Sequence, residues 1–305
     1  MQRFKTLLLR EWMQHQRGWL IMVGLPIVLM LAGAVFGEVQ LGPGDEELPA
    51  AAGPLVSALG MLVVTAGITL ALAWLVTMLQ SPGLARRDVQ DRSIEFWLSL
   101  PASHTQSLGA TLLAHLLLWP WAALLAGLGG GLLGGLLLTV KLYGAGAWLG
   151  LPWGGIVLAV LSLALRLMLG LLLATLWLAP LTLGTMVASA WLKRWGVPAV
   201  VAATLAGGLV LDKVYGNPVV WRTLQFLGER ASQALIATDR SGDGPPGLAF
   251  HSAQDVDGLL GGAPGWLLHD AGVALLQLAS PAFLAVLMAS SLAFGALVLR
   301  RQRGA

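Results

Sequence analysis

Apolar positions along this chain gather in long runs rather than in period-two stripes. Six runs stand out, roughly at 18–37, 55–79, 107–139, 153–192, 196–212 and 271–299. A helix rises about 1.5 Å per residue, so about 20 apolar residues cross a hydrocarbon core of roughly 30 Å. The pattern predicts an all-α integral membrane protein with six transmembrane helices. The fourth run is too long for one straight crossing and contains Arg166 and Pro180. It reads as one helix that begins outside the membrane and kinks near Pro180.

The polar pieces between the runs predict the rest. In residues 1–17, Phe4, Leu7, Leu8 and Trp12 recur at helical spacing among Lys5, Arg10 and Arg17. This predicts an amphipathic helix lying in the membrane interface; the plainer alternative is a basic flanking tail. Basic residues ahead of an apolar run ending in "LAGAVFG" also raise a secretory leader. The polar lead is long for one, and the apolar run is nearer span length, so an uncleaved first span is expected. Residues 213–270 form the only sizeable insertion, with a short helix predicted at "WRTLQFLGERASQALI" and turns at "SGDGPPG" and "LLGGAPG". An insertion of that size is too small for an ordinary core, so a cap resting on the membrane part is expected before the last span.

Residues 81–106 carry a different pattern. Ser81-Pro82 reads as a helix start, because Pro is tolerated in a first turn. Ile94, Trp97 and Leu98 fall at i, i+3 and i+4, Pro101 ends the element, and Ser103 or Thr105 can cap the next helix. A loop that only reverses direction does not need an amphipathic helix of mixed charge. The segment reads as a docking element for a cytoplasmic partner, with a solvated linker on the headgroups as the alternative.

Composition sharpens this picture. Over 305 residues the chain is 57% hydrophobic and 11% charged, against about one quarter charged for a soluble domain. The absence of cysteine excludes disulfides, thiolate metal sites and thiol nucleophiles. His15, His104, His115, His251 and His269 show no metal-ligand spacing. With both termini inside, twelve of the 18 basic residues are cytoplasmic: Arg3, Lys5, Arg10, Arg17, Arg86, Arg87, Arg92, Lys193, Arg194, Arg300, Arg301 and Arg303. Only Glu11, Asp88, Asp91 and Glu95 accompany them among 15 acids. That bias is the one expected of a cytoplasmic face.

The candidate motifs mostly resolve to packing. Gly129, Gly131 and Gly134 make a G-x-G-x-x-G pattern, but it lies inside an apolar helical run, without the strand a dinucleotide site needs. In the same run Gly127, Gly131 and Gly135 are four apart, a spacing that lets helix backbones approach closely; a softened helix end is the alternative. His115 reads as a polar contact between helices, Arg166 as a side chain snorkelling to the outer interface, and Asp212 with Lys213 as an interfacial pair. No Lys follows a Gly, so no Walker-type phosphate loop exists. No catalytic grouping and no cofactor site is expected in this chain.

The stretch "LARRDVQDRSIEFWLSLPASHTQSLGATLLAH" resembles the cytoplasmic loop of ABC transporter permeases of the type-2 exporter group. There a charged stretch leads into "slP-s-t" and the third span. "TLWLAPLTLGTMVASAWLKRW" at 175–195 is similar to a fourth-span end of bacterial permeases in that group. The resemblance covers nearly the whole chain as one permease domain, 1–305, and its motifs are loose. It implies a bacterial inner-membrane protein that pairs with a second permease copy and docks a separate ABC ATPase subunit, where ATP and Mg would bind. Arg86, Arg87, Asp88, Arg92, Ile94, Glu95, Phe96, Trp97, Leu98 and Pro101 would form the coupling element. The insertion is longer than the two short re-entrant helices the group usually places there. Membrane lipid is an expected partner and nucleic acid is not. The spans carry little fixed charge, so a hydrophobic or amphipathic cargo such as a lipid-linked molecule, peptide or drug is expected. The competing class is a sensor, assembly factor or lipid-modifying enzyme.

Overall fold

A computed structural model describes residues 2–38, 53–85, 103–236 and 253–303. These residues are helical almost throughout, with no strand among them. The helices are α1 (Gln2–Phe36), α2 (Gly53–Leu84), α3 (His104–Leu113), α4 (Trp119–Tyr143), α5 (Ala145–Leu149), α6 (Trp153–Leu192), α7 (Gly196–Lys213), α8 (Val219–Leu235), α9 (Ala253–Leu276) and α10 (Pro281–Arg303). A single π-turn, Ala114–Leu118, joins α3 to α4. Five stretches among the described residues are long and apolar enough to cross a membrane: Phe4–Phe36, Gly53–Leu84, His104–Tyr143, Trp153–Lys213 and Pro281–Gln302. Leu20, Ile21, Leu25, Val28 and Leu29 on α1 and Leu284, Met288 and Leu292 on α10 are exposed. So large an apolar surface is stable only against lipid or another protein. The chain is a multi-pass, all-helical membrane protein.

Several boundaries differ from the sequence expectation. The interfacial helix expected at 1–17 and the span expected at 18–37 are one helix, α1, with no break between them. Ser81-Pro82 does not start a helix; it lies within α2. Proline 82 cannot donate to the Met78 carbonyl, and the Ser81 hydroxyl donates to that carbonyl instead, at 2.9 Å. The helix therefore continues. The last span, expected as 271–299, is interrupted at Gln277–Ala279. Ser280 adopts an extended conformation there and its hydroxyl accepts from the Phe283 N–H at 3.2 Å, starting α10 with Pro281 in its first turn. The run at 153–192 is one unbroken helix that passes through Pro180. Lys193, with φ 55°, turns the chain into α7.

Packing is organised around α4 and α6. Helix α4 meets α2 along its glycines: a Cβ on Gly127 would fall 2.8 Å from the Ala66 Cα, one on Gly131 2.6 Å from the Leu62 Cα, and one on Gly135 3.0 Å from the Ala58 carbonyl. The Gly127–Gly131–Gly135 ridge is thus spent inside the chain, against α2. On the adjoining face Gly130 meets Ile27 of α1. Lys141 ends this contact, its Nζ donating to the Val35 and Gly37 carbonyls at 2.9 and 2.6 Å, where the last carbonyls of α1 lack helical partners.

The described part of the insertion packs against the long sixth helix. Helices α8 and α9 lie alongside α6, and Leu173, Ala174 and Trp177 of α6 share one buried cluster with Leu227, Ala231 and Ala234 of α8, Ala274 of α9 and Phe283 of α10. Leu173 and Trp177 fall near the midpoint of α6. The amphipathic face of α8 explains the docking. Leu227, Ala231 and Ala234 face α6, while Arg222, Gln225 and Glu229 stay exposed.

Candidate functional site

Two helices bring matched four-residue ladders together. Leu7, Glu11, His15 and Trp19 lie along one face of α1; Ser107, Thr111, His115 and Trp119 lie along the facing side of α3, the π-turn and the first residue of α4. Residues four apart stack on one helical face, so side-by-side helices set the ladders rung to rung. Glu11 is fully buried and His115 is 1% exposed.

The two carboxylate oxygens of Glu11 have different surroundings. Oε1 accepts from Arg10 and, at 3.0 Å, from the Thr111 hydroxyl. Oε2 faces two imidazoles, His115 Nε2 at 3.3 Å and His15 Nδ1 at 4.0 Å. His15 Nδ1 also lies 3.0 Å from the Glu11 main-chain carbonyl. One side of the cluster is closed by stacked indoles: Trp19 and Trp119 have ring centroids 4.7 Å apart and planes 13° apart. Trp19 also meets the His115 ring edge-on at 5.1 Å. The rings and the ion pair hold one another in place.

The π-turn has a local cause. Pro120 lacks the N–H that would bond the Leu116 carbonyl, and its ring crowds that carbonyl. The ladder widens, the Trp119 N–H bonds back to Ala114, and the Leu116 carbonyl takes the Thr175 hydroxyl at 3.5 Å. His115 sits within this widened turn.

A second buried polar centre joins α6, α8 and α9. Arg166 donates from Nε to Asp270 Oδ2 at 2.6 Å and from Nη1 to the Ala234 carbonyl at 2.8 Å. Arg166 is 3% exposed, so it does not snorkel to an interface as expected; it is neutralised inside the protein. One turn along, a Cβ on Gly170 would fall 2.7 Å from the same Ala234 carbonyl, so only glycine lets α8 close over the pair. Asp212 and Lys213 form the expected pair at 3.4 Å, largely in the open.

Of the residues singled out from sequence, His115 is part of the first centre and Arg166 of the second. The expected coupling residues, Arg86, Arg87, Asp88, Arg92, Ile94, Glu95, Phe96, Trp97, Leu98 and Pro101, lie outside the described residues. Sequence reasoning missed Glu11 and Asp270, which entered it only through the tally of charges on the two sides of the membrane. The signal for Glu11 was available: Glu, His and Trp at i, i+4 and i+8 on one helix, and Thr, His and Trp at the same spacing on another. Comparisons with family models, curated proteins and solved structures find no match for this chain.

Proposed function

We propose that this chain is the transmembrane subunit of an ATP-driven ABC exporter of the type-2 group. It works as a two-fold pair in a bacterial inner membrane, with both termini cytoplasmic and six crossings. It moves a hydrophobic or amphipathic cargo outward, and ATP is hydrolysed by a separate subunit. The observation that carries this reading is the pair of helices before the last one. In the group that the sequence resembles, two short re-entrant helices occupy that place; here α8 and α9 span 17 and 24 residues, longer than that pattern, and pack along the middle of α6. The sixth crossing comes from dividing the Trp153–Lys213 stretch at Lys193 into α6 and α7. Because the glycine ridge is occupied by α2, pairing must use another face.

The test is docking of the ATPase subunit. Interface energy concentrates in a few buried aromatic and Arg anchors, and in "RRDVQDRSIEFWLSLP" Trp97 is the main aromatic, with Ile94 and Phe96 near it in sequence. Arg86, Arg87, Asp88, Arg92 and Glu95 act through steering and register. Loss of such an anchor costs about 2 kcal/mol, roughly thirtyfold in binding. Trp97→Ala is expected to lose the co-purifying ATPase and cargo-stimulated hydrolysis while membrane insertion stays normal. Unchanged docking in both Trp97→Ala and a Phe96/Trp97 double variant returns the segment to a solvated linker.

A further inference from the structure

We propose that Glu11, His15 and His115 form a binding site for a divalent transition-metal ion of the Zn2+ and Co2+ class, one that clips α1 to the third helical stretch. The site is independent of the transport reading.

Geometry makes the first part of the argument. One ligand atom from each of the three residues lies within 4.8 Å of the other two. Ions of this class bind His nitrogen and carboxylate oxygen at about 2.0–2.2 Å, which separates tetrahedral ligands by roughly 3.4 Å. Glu11 Oε2 and His115 Nε2 are already 3.3 Å apart. His15 Nδ1, 4.0 Å from Oε2, has less than about 1 Å to close to reach that tetrahedral separation. It ligates with its proton on Nε2, giving up its contact with the Glu11 carbonyl.

The surroundings make the second part. A ligating carboxylate is normally oriented by hydrogen bonds to its other oxygen. Here Arg10 and Thr111 contact Oε1, and Oε2 lies 3.3 Å from His115 Nε2 and 4.0 Å from His15 Nδ1. The His115 ring is fixed edge-on against Trp19. It sits on the π-turn that Pro120 imposes, which sets where the ring is held. Access is through His15, whose side chain is 24% exposed while those of Glu11 and His115 are 0% and 1% exposed.

The donor set selects the ion. Two imidazoles and one carboxylate suit Zn2+, Co2+ or Ni2+, whereas Ca2+ and Mg2+ require a shell of six or more oxygens. The Arg10 guanidinium offsets the carboxylate charge and sets the affinity below that of an unopposed Glu–His–His site. Both imidazoles ligate in the neutral form, so binding is coupled to release of any proton they carry.

The test uses full-length, tag-free protein in lipid nanodiscs, stripped with chelator and titrated with Co2+ and then Zn2+. One Co2+ per chain is expected, with the intense ligand-field absorption of a four-coordinate site, displaced by Zn2+. His115→Gln and His15→Asn keep polar side chains at these positions and are expected to lower affinity at least about tenfold, the loss typical even of an outer-shell change. They are also expected to abolish the Zn2+-dependent rise in thermal unfolding temperature. His104→Asn and His269→Asn, outside the cluster, are expected to bind as the parent does. Sub-stoichiometric binding, a six-coordinate Co2+ spectrum, or parental affinity in His115→Gln overturns the proposal.

Discussion

Arg166 and Asp270 form a buried ion pair, Nε to Oδ2 at 2.6 Å, across 104 residues of chain. The Ala234 carbonyl takes a second guanidinium nitrogen, so three helices meet on one cation. Removing one member of such a pair strands the other charge in a medium that cannot solvate it, at a cost of about 3–5 kcal/mol. Arg166→Met is therefore expected to lower the denaturant midpoint strongly in detergent. The double variant Arg166→Met/Asp270→Leu is expected to recover most of the loss. A double variant as unstable as the sum of its two singles would show that the charges do not act as a pair.

The α2–α4 contact gives a matched pair of glycine tests. A Cβ on Gly131 meets backbone of α2, the Leu62 Cα at 2.6 Å, whereas one on Gly129 meets nothing within 4 Å. Gly131→Ala is expected to destabilise by about 1–3 kcal/mol through overpacking. Gly129→Ala is expected to be neutral, or stabilising by up to about 1 kcal/mol from helix propensity. Equal effects in thermal unfolding would mean that α2 and α4 do not touch at this ridge.

Orientation is measurable because the chain has no cysteine of its own. Glu38, just past the Phe4–Phe36 stretch, and Gln302, the last residue of Pro281–Gln302, are both exposed, and single cysteines there report on opposite sides if the proposed six-crossing topology holds. Glu38→Cys is expected to react with an impermeant maleimide added to whole cells, and Gln302→Cys only after the membrane is opened. The reverse pattern inverts the topology.

Ser280 gives a local test of the break before α10. Its hydroxyl accepts from the Phe283 N–H at 3.2 Å, and loss of an N-cap costs about 1 kcal/mol. Ser280→Ala is expected to speed amide exchange in the first turn of α10 by several-fold. Ser280→Asp, which keeps the acceptor, is expected to restore protection. No change in either variant would mean that Pro281 alone sets the boundary.

Helical content and membrane character were legible in the sequence because both depend on summed properties of neighbouring residues. About 20 apolar side chains in a row lower the free energy of a helix in lipid whatever it packs against. A cap at Ser103 or Thr105 was recognisable for the same local reason, and it is the Ser103 hydroxyl that accepts from the Gln106 N–H. Ser81-Pro82 misled because the same two residues start a helix or continue one according to whether the serine hydroxyl replaces the missing donor.

Partnership between distant charges was decided only by the tertiary structure. Glu11 and Asp270 look like flanking acids until α1 lies beside α3 and α9 lies beside α6; then Glu11 lies buried against Thr111 and His115, and Asp270 against Arg166. The low dielectric that makes a lone charge costly also makes its partner decisive, and that partner is about 100 residues away or more. Glycine spacing carried the same ambiguity. The sequence by itself determined that Gly127, Gly131 and Gly135 form a ridge for close approach, while only the folded bundle decided that α2 fills it, because a four-residue spacing encodes contact and not the identity of what is touched.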